Sequence, residues 1–214
     1  MPGSLVVDPK CPDPEILREA ASILRSGGLV VYPTDTLYGL GADPHNAGAV
    51  RRVYEVKERG RDKPLPIILA EAHYAIDYVV PSPLFWMIAR LFWPGPLTIV
   101  APASPRAPRY LASSDGMIGV RLPDSRVARE LARLTGGAII GTSANKSGMT
   151  PPVTAQEAMA MLGDSVDLYI DGGPTPLGRP STVIWVVGDE YHVLREGSLP
   201  SARIEEAVRD LKRL

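Results

Sequence analysis

The stretch LVVYPTDTLYGLG, residues 29–41, joins a short apolar segment to a polar loop that contains two glycines. LVVY, residues 29–32, has the length and the β-branched content of a buried strand, and a proline follows it directly. The loop PTDT, residues 33–36, supplies two hydroxyls and a carboxylate, and the glycines behind it allow the backbone to approach a ligand closely. A turn capped by its own side chains accounts for the same residues. The stretch therefore predicts a strand whose end carries either a ligand site or a capped turn.

Helices and strands alternate on both sides of this stretch. Upstream, Asp13 caps a helix that begins at Pro14 and ends before Gly27 and Gly28. Further strands are predicted at PIIL (66–69), LTIV (97–100), IGVRL (118–122), AIIG (138–141), DLYI (167–170), TVIWVV (182–187) and, after a hairpin turn, YHVLR (191–195). Further helices are predicted from Asn46, over 84–93, 125–134 and 154–162, and from Ser201. This order predicts an α/β protein in which helices cover one twisted, mixed sheet, and no repeat or composition break divides it.

Proline and glycine are unusually frequent in the chain. Its 214 residues include 22 prolines and 20 glycines, which is about a fifth of the total against an ordinary ~12%. The glycines follow no three-residue period, which excludes collagen, and the 45% of hydrophobic residues excludes wholesale disorder. We interpret the surplus as stiff, tightly turned loops between the helices and strands.

Charge, cysteine and histidine content narrow the class of protein further. A formal net charge of −1 argues against a generally basic nucleic-acid-binding surface, although local basic patches remain open. One cysteine and three scattered histidines offer neither an internal disulfide nor a zinc-ligand spacing, so we expect a reducing compartment and no structural metal. The N-terminal residues lack a signal-peptide pattern, and no apolar run is long enough to span a bilayer. These features predict a cytoplasmic protein without a membrane contact.

A basic segment follows the helix that begins at Asn46. KERGRDKPL, residues 57–65, places four cations within seven residues. They are Lys57, Arg59, Arg61 and Lys63. Lys57 lies on the inward stripe of the helix, and together with Arg59 it has the charge and the geometry to converge on phosphate oxygens. A solvated basic helix end that complements the helix dipole is the alternative.

Two further loops and two strand arginines carry groups suited to polar ligands. GTSANKSG, residues 141–148, places hydroxyls and an amide at a strand end, where open sheets bind ligands, but Asn145 stands where a nucleophile elbow needs glycine. GRPSTVIW, residues 178–185, contributes an arginine and a serine. Arg121 and Arg195 lie within strands, and a structural ion pair is the alternative to a ligand for both. Neither a P-loop nor a dinucleotide-binding fingerprint occurs.

Six segments in a fixed order together resemble the YrdC/Sua5 family. They are PTDTLYGLG (33–41), KER (57–59), GVRLPD (119–124), TSANKSG (142–148), PSTVI (180–184) and LREG (194–197). The pairing of K-x-R with a later S-x-N is the specific part of the resemblance, which extends from about residue 13 to about residue 200. It implies a single YrdC/RibB-like domain over 1–214 with a C-terminal helix over 201–214.

The resemblance also implies an activity, that of an L-threonylcarbamoyladenylate synthase. Such an enzyme, a nucleotidyltransferase, forms threonylcarbamoyl-AMP and pyrophosphate from L-threonine, bicarbonate and ATP. The product serves the synthesis of threonylcarbamoyladenosine in tRNA, and a downstream threonylcarbamoyl transferase takes it up. The implied cofactor is Mg2+, held by phosphates and water rather than by a cluster of protein ligands. This chemistry requires no protein nucleophile, so catalysis rests on positioning and on cationic stabilisation.

Matched to this chain, the resemblance implies two sets of site residues. The ATP contacts are Lys57, Arg59, Lys63, Asn145 and Arg195, of which Lys57 and Arg59 are the catalytic pair. The threonine pocket consists of Thr36, Arg121, Ser143 and Ser181, with Arg121 pairing the carboxylate.

The chain departs from the family pattern at some positions, and two other functions remain open. Trp185 stands where family members commonly have Asp, and PIIL (66–69) lacks a histidine that some members carry there. The chain resembles the short form of the family, without the extra C-terminal domain, and its ATP site would then be more open. One alternative is a carbamoyltransferase-type component, although no acylphosphatase-like or zinc-finger segment accompanies the domain. The other is a module that binds tRNA or double-stranded RNA through the basic run at 51–63.

Overall fold

The computed structural model describes residues 3–60 and 63–211, and within them strands and helices alternate along the chain. The strands are β1 (Gly3–Val6), β2 (Val30–Tyr32), β3 (Gly39–Gly41), β4 (Ile67–Leu69), β5 (Leu97–Pro102), β6 (Met117–Arg121), β7 (Ala138–Ile140), β8 (Thr142–Ser143), β9 (Leu168–Asp171), β10 (Thr182–Val187) and β11 (Glu190–Arg195). The helices are α1 (Pro14–Arg25), α2 (Ala47–Val56), α3 (Ala75–Tyr78), α4 (Pro83–Phe92), α5 (Arg126–Leu134), α6 (Ala155–Leu162) and α7 (Ser201–Leu211).

Short polar side chains mark the beginning of α1, α2, α4, α5 and α6. Each accepts a hydrogen bond from a backbone N–H two or three residues later, and such N–H groups have no partner inside the helix. The caps are Asp13, Asn46, Ser82, Ser125 and Thr154. These residues therefore set where the helices begin, and the apolar stripe that follows each cap sets which face is buried.

The strands form two mixed sheets. The first has the order β1-β9-β2-β3-β8, and the second has the order β11-β10-β5-β6-β4-β7. Each sheet contains both parallel and antiparallel neighbours: β2 is parallel to β9 and antiparallel to β3, and β5 is parallel to β10 and antiparallel to β6. Strands that are distant along the chain thus become neighbours, which gathers several loops at one place.

The chain crosses directly from the second sheet to the first at Gly141, between β7 and β8. Gly141 donates its N–H to the carbonyl of Pro66 at 2.8 Å, and Ile140 donates to the carbonyl of Ala42 at 2.9 Å. A Cβ atom at position 141 would lie 2.1 Å from Cγ1 of Ile68, which is closer than any side chain tolerates. Glycine is required here because the backbone at this crossing passes directly against the Ile68 side chain of β4.

Helices cover both sheets and leave an apolar core between the layers. α1 packs on α5, α4 packs on α7 and on β5 and β10, and α6 packs on β2 and β9. The largest cluster of buried side chains includes residues of both sheets and of α2, α4, α6 and α7. In the described part of the chain, no helix has the length and apolar character needed to cross a membrane.

The α/β class and the helical cover that the sequence predicts are confirmed, but the strands make two sheets rather than one. Residues 39–41, predicted as part of a loop, form β3, and residues 142–143 form β8. A strand of two or three residues is too short to show an alternation of apolar and polar side chains. Such a strand forms only because a neighbouring strand pairs with it. The C-terminal helix is described as far as Leu211, so the predicted residues 212–214 lie outside the described part of the chain.

Candidate active site

A cavity of about 560 Å³ is lined by residues of both sheets. Its walls come from the loop after β2, from β5, β6 and β10, from the β7–β8 junction and from the end of β11. Six of the nine predicted site residues line it: Thr36, Arg59, Arg121, Ser143, Ser181 and Arg195. The fold therefore brings these six side chains together, although they lie far apart along the chain.

Arg121 is buried in the wall of this cavity and is held on three sides. Its Nε donates to the carbonyl of Gly95 at 3.0 Å, its Nη1 donates to Thr36 Oγ1 at 2.8 Å, and its Nη2 donates to Asp35 Oδ1 at 2.5 Å. Asp35 is also buried, and its Oδ2 has no hydrogen-bond partner within residues 3–60 and 63–211. Burial lowers the pKa of Arg121, and the adjacent Asp35 carboxylate opposes that change. The ion pair that was one of the two alternatives for Arg121 is thus present. It fixes the orientation of the guanidinium relative to the cavity.

The loop after β2 combines a capped turn with a cavity wall. Thr34 Oγ1 accepts hydrogen bonds from the backbone N–H groups of Thr36 and Leu37, each at 3.1 Å, and donates to the carbonyl of Leu37 at 2.6 Å. The hydroxyls of Thr34 and Thr36 lie 3.0 Å apart. The capped turn is thus present and directs Thr36 into the cavity, while the binding of a ligand there stays a prediction.

Ser181 and Arg195 stand together on the opposite wall. Arg195 Nη2 donates to the carbonyl of Ser181 at 2.9 Å and lies 3.4 Å from its hydroxyl. The Ser181 hydroxyl is also 2.9 Å from that of Thr98, which lines the cavity from β5. Since a hydroxyl both donates and accepts, this pair can reorganise around a carboxylate or a phosphate oxygen.

The guanidinium groups of Arg59, Arg121 and Arg195 face the same cavity. Arg59 donates from Nε to the carbonyl of Lys63 at 3.1 Å and from Nη2 to the carbonyl of Pro64 at 3.2 Å, which anchors it at the rim. Burial lowers the pKa of Arg195, and the charges of Arg121 and Arg59 lower it further. Cations close enough to repel one another in this way favour the binding of an anion between them.

Lys57 is in a different position from the other predicted cations. It is 1% exposed, and its Nζ donates to the carbonyls of Ser143 and of Asn145, the latter at 2.7 Å. Its own carbonyl accepts from the N–H of Ser147 at 2.8 Å. Burial, with a smaller contribution from Arg59, lowers the pKa of Lys57 from its ordinary 10.5 to about 8. Lys57 thus holds the loop after β8 against the end of α2 and, among the described residues, is not part of the cavity lining.

Asn145 and Lys63 also lie outside the described cavity lining. Asn145 is buried, and its Nδ2 donates to the carbonyls of Lys146 at 2.9 Å and Met149 at 2.7 Å. Its Oδ1 has no hydrogen-bond partner in the described part of the chain. Lys63 is exposed and contributes its backbone carbonyl to Arg59. Arg61, the remaining cation of the basic segment, lies outside the described residues.

Several cavity residues were not singled out by the sequence analysis. Thr98 lies in a predicted strand, and it lines the cavity with its hydroxyl 2.9 Å from that of Ser181. Val100, Gly119 and Trp185 line the cavity from neighbouring strands of the second sheet. The alternation of side chains along each strand predicts that these residues share one face of the second sheet. Which of its two faces borders a cavity depends on how the two sheets pack together.

The donor groups at the cavity are compatible with a magnesium ion that arrives on a nucleotide. Within residues 3–60 and 63–211, no group of three or more His, Cys, Asp or Glu residues has the arrangement of a metal site. Asp115 is the one acidic residue among the described lining residues. Mg2+ commonly keeps several waters and binds through phosphates with one or two carboxylates, so such a site needs no protein cage.

Comparison with known proteins gives relatives over most of the chain. Residues 22–197 match the Sua5/YciO/YrdC family, which carries the description "telomere recombination". A threonylcarbamoyl-AMP synthase of Halorhodospira halophila is 38% identical over 178 residues, which cover 81% of this chain and 93% of the relative. A synthase of the same name from Bacillus subtilis is 37% identical over 199 residues, which cover 92% of this chain and 57% of the relative.

Solved structures give the same result for the fold. The crystal structure of Pyrococcus abyssi Sua5 complexed with L-threonine superposes with a TM-score of 0.91 at 36% identity, over 95% of this chain. The match spans 60% of the Pyrococcus chain. Escherichia coli YciO superposes with a TM-score of 0.85 at 26% identity, over 92% of this chain and 96% of YciO. The six motifs, the two-sheet fold and these matches agree, and the chain belongs to the Sua5/YciO/YrdC family.

Proposed function

We propose that the chain is an L-threonylcarbamoyl-AMP synthase, which forms threonylcarbamoyl-AMP and pyrophosphate from L-threonine, bicarbonate and ATP. The observation that carries this proposal is the cavity, in which three guanidinium groups stand beside three hydroxyls contributed by separate segments. Relatives named for this activity are 37–38% identical to the chain. The arrangement suits a reaction between a small amino acid and a polyphosphate.

The chemistry needs positioning and charge stabilisation rather than a protein nucleophile. The amine of threonine attacks the carbon of bicarbonate, one bicarbonate oxygen leaves as water, and a carbamate forms. A carbamate oxygen then attacks the α-phosphorus of ATP, and the bond to the β-phosphate oxygen breaks to release pyrophosphate. Negative charge grows on the phosphoryl oxygens and on the departing pyrophosphate. Guanidinium groups fixed in advance stabilise that charge without having to reorganise.

Threonine binds at the end of the cavity that carries Arg121, Thr36, Ser143 and Ser181. A guanidinium has five N–H donors, and Arg121 uses three of them for Gly95, Thr36 and Asp35. The remaining donors face no acceptor among the described residues and are suited to a carboxylate. The hydroxyls of Ser143 and Ser181 complete the pocket by accepting or donating as the substrate requires.

ATP binds with its phosphates at Arg59 and Arg195. Both side chains are anchored by backbone carbonyls, which holds each planar guanidinium in a fixed orientation at the cavity, where it suits phosphate oxygens. When bound, Mg2+ neutralises the phosphates that carry it. Lys63, exposed beside Arg59, is a further proposed contact for the outer phosphates.

Lys57 and Asn145 contribute through the loop after β8. The Lys57 ammonium donates to the carbonyl of Ser143 itself and to that of Asn145, so the lysine fixes the backbone that carries the Ser143 hydroxyl in the cavity. Asn145 keeps the same loop closed by donating to Lys146 and Met149. Its Oδ1 is buried behind the cavity lining, so the proposed contact of Asn145 with ATP requires this loop to shift. The proposed catalytic role of Lys57 is therefore to place this loop, while Arg59 stabilises the transferred phosphoryl group.

The proposal is tested by incubating the purified protein with ATP, L-threonine, bicarbonate and Mg2+. We expect threonylcarbamoyl-AMP by mass spectrometry and an equal amount of pyrophosphate, with neither formed when one substrate is omitted. Arg59→Ala should lower kcat by 100-fold or more, as loss of a transition-state donor commonly does (~10²–10³). Arg18→Ala, an exposed arginine on α1, is the matched control and should leave the rate unchanged.

Two results would contradict the proposal. One is the absence of threonylcarbamoyl-AMP from the complete mixture although the protein is folded. The other is transfer of a carbamoyl group, with release of phosphate, in a second mixture that holds carbamoyl phosphate in place of bicarbonate, which would instead indicate the carbamoyltransferase-type component. Mass spectra of the two mixtures distinguish these outcomes.

The proposed product is an unstable mixed anhydride, so a downstream threonylcarbamoyl transferase must take it up for tRNA modification in the cytoplasm. Direct contact with tRNA would use exposed cations of α2 such as Arg51. A gel-shift titration with tRNA tests that contact. RNA binding that Arg51→Glu abolishes while synthesis stays intact would place the contact on α2, whereas RNA binding without any synthesis would favour the RNA-binding module.

A further inference from the structure

The cavity has an apolar end that the threonine and phosphate contacts do not use. Across four neighbouring strands of the second sheet, four residues stand directly opposite one another. Trp185 on β10 pairs with His192 on β11 and with Val100 on β5, and Val100 pairs with Gly119 on β6. Residues directly opposite in a sheet lie on the same face, so this row forms one continuous strip. Trp185, Val100 and Gly119 line the cavity.

A second row lies two residues along the same strands and carries the polar groups. Val183 pairs with Thr98 on one side and with Arg195 on the other, with a bulge after Val183, and Arg121 follows Gly119 by two positions on β6. Two residues of a strand span roughly 7 Å, which is about the length of a ribose. The sheet face thus presents cations and hydroxyls in one row and a strip of aromatic and aliphatic residues in the next.

The strip has the features of a platform for a flat ring. The Trp185 indole is only partly buried, and the His192 ring lies against it with a centroid distance of 5.4 Å and an interplanar angle of 32°. A Cβ atom at Gly119 would lie 3.4 Å from Thr98 and 3.5 Å from Val100, so glycine is not sterically required there. The absence of a side chain nevertheless leaves room for a ligand above the backbone of the strip. Aromatic side chains bind bases because every base has a π-face.

We propose that Trp185 is the residue against which the adenine of ATP stacks, with Val100 and Gly119 as the floor of the base site. The inference rests on the proposed function, since it takes ATP as the substrate. It orients the nucleotide along the sheet face, with the base on the strip and the phosphates toward Arg195 and Arg59. The carbamate then approaches the α-phosphorus from the threonine end of the cavity.

The test compares ATP with inorganic tripolyphosphate, which has the phosphates but no base, by titration calorimetry. Trp185→Ala should weaken ATP binding by about tenfold or more and leave tripolyphosphate binding unchanged. Trp185→Phe should retain most of the ATP affinity because it keeps an aromatic face. Equal ATP affinity in wild type and Trp185→Ala would overturn the proposal, and so would an equal loss for ATP and tripolyphosphate.

Two further measurements guard against a variant that fails to fold. Gly119→Val adds a side chain where the base would lie. It should weaken ATP binding but not tripolyphosphate or threonine binding. Unchanged ATP binding would contradict the base site. In the intact protein, ATP should change the fluorescence of Trp185. That signal should persist in the control Trp86→Phe, whose residue lies outside the described cavity lining, and disappear in Trp185→Phe. A signal that persists in Trp185→Phe would also overturn the proposal.

The base site and the proposed activity fail in distinguishable ways. If wild-type protein makes no threonylcarbamoyl-AMP while Trp185→Ala still loses ATP affinity selectively, the activity is wrong and the base site holds. If wild type is active and the KM for ATP is the same in Trp185→Ala, the base site alone is wrong. A rise in the KM for ATP with an unchanged KM for threonine supports both.

Discussion

Arg121 and Lys57 are both buried cations, but different groups compensate their charges. Arg121 is neutralised by Asp35 and still faces the cavity with unused donors. Lys57 has no such carboxylate partner in the described hydrogen bonds and ion pairs and is held instead by backbone carbonyls. An ammonium among carbonyls is stabilised by partial charges only, which is why burial lowers its pKa so far.

The lowered pKa of Lys57 predicts a dependence of stability on pH. Between pH 8 and 10.5 the unfolded chain keeps the lysine proton while the folded chain releases it. Because the unfolded state then binds more protons, this residue makes the free energy of unfolding rise with pH in that interval. Urea denaturation of wild type and Lys57→Met at pH 7.5, 9 and 10 should show the difference moving in favour of wild type. Parallel pH profiles of the two proteins would contradict this assignment.

The β7–β8 junction is where the two sheets are joined, and it leaves no room for a side chain at position 141. We predict that Gly141→Ala lowers the free energy of unfolding by about 1–3 kcal/mol, because the new methyl group overlaps Ile68 and forces a shift in a packed core. Since the adjacent Ser143 moves with the junction, the KM for threonine should rise as well. Urea denaturation and steady-state kinetics measure the two effects.

Gly119→Ala is the matched control for this substitution. Its Cβ would make ordinary contacts with Thr98 and Val100, and the change from glycine to alanine in a strand is not strained. A loss of stability in Gly119→Ala as large as that in Gly141→Ala would show that the effect is general to glycine removal and not specific to the junction.

Both sheets contribute to one cavity, so an anion bound there should link them. We predict that pyrophosphate raises the Tm of the protein, since a ligand present at a hundred times its Kd adds about 2.7 kcal/mol of stability. The shift should shrink in Arg195→Ala and at high salt, because exposed charges are screened. Differential scanning fluorimetry with and without pyrophosphate measures it, with Arg18→Ala as the control that keeps the full shift. An equal shift in Arg195→Ala would exclude pyrophosphate binding at this arginine.

Much of the architecture could be predicted from the sequence, and six of the nine predicted site residues line the cavity. Helix caps, glycine ends and apolar runs are local signals, and they placed α1, α6 and most of the longer strands. The order of the six motifs predicted the family, and Arg59, Arg121 and Arg195 do share one cavity. The positions of Lys57 and Asn145 behind the cavity wall could not be predicted, because a motif states which residues occur together and not which of them reaches the ligand. The assignment of each residue to ATP or to threonine stays a prediction.

The chain's own residue pattern determined the class of fold, the family and six of the polar residues that meet at the cavity, because capping, periodicity and motif spacing act over a few residues at a time. The tertiary structure alone decided that the strands divide into two sheets and that Lys57 donates hydrogen bonds to the carbonyls of Ser143 and Asn145. It also decided that Trp185, Val100 and Gly119 form one strip. Such pairings join residues that are distant in sequence, and they exist only once backbone pairing and core packing have fixed which faces meet.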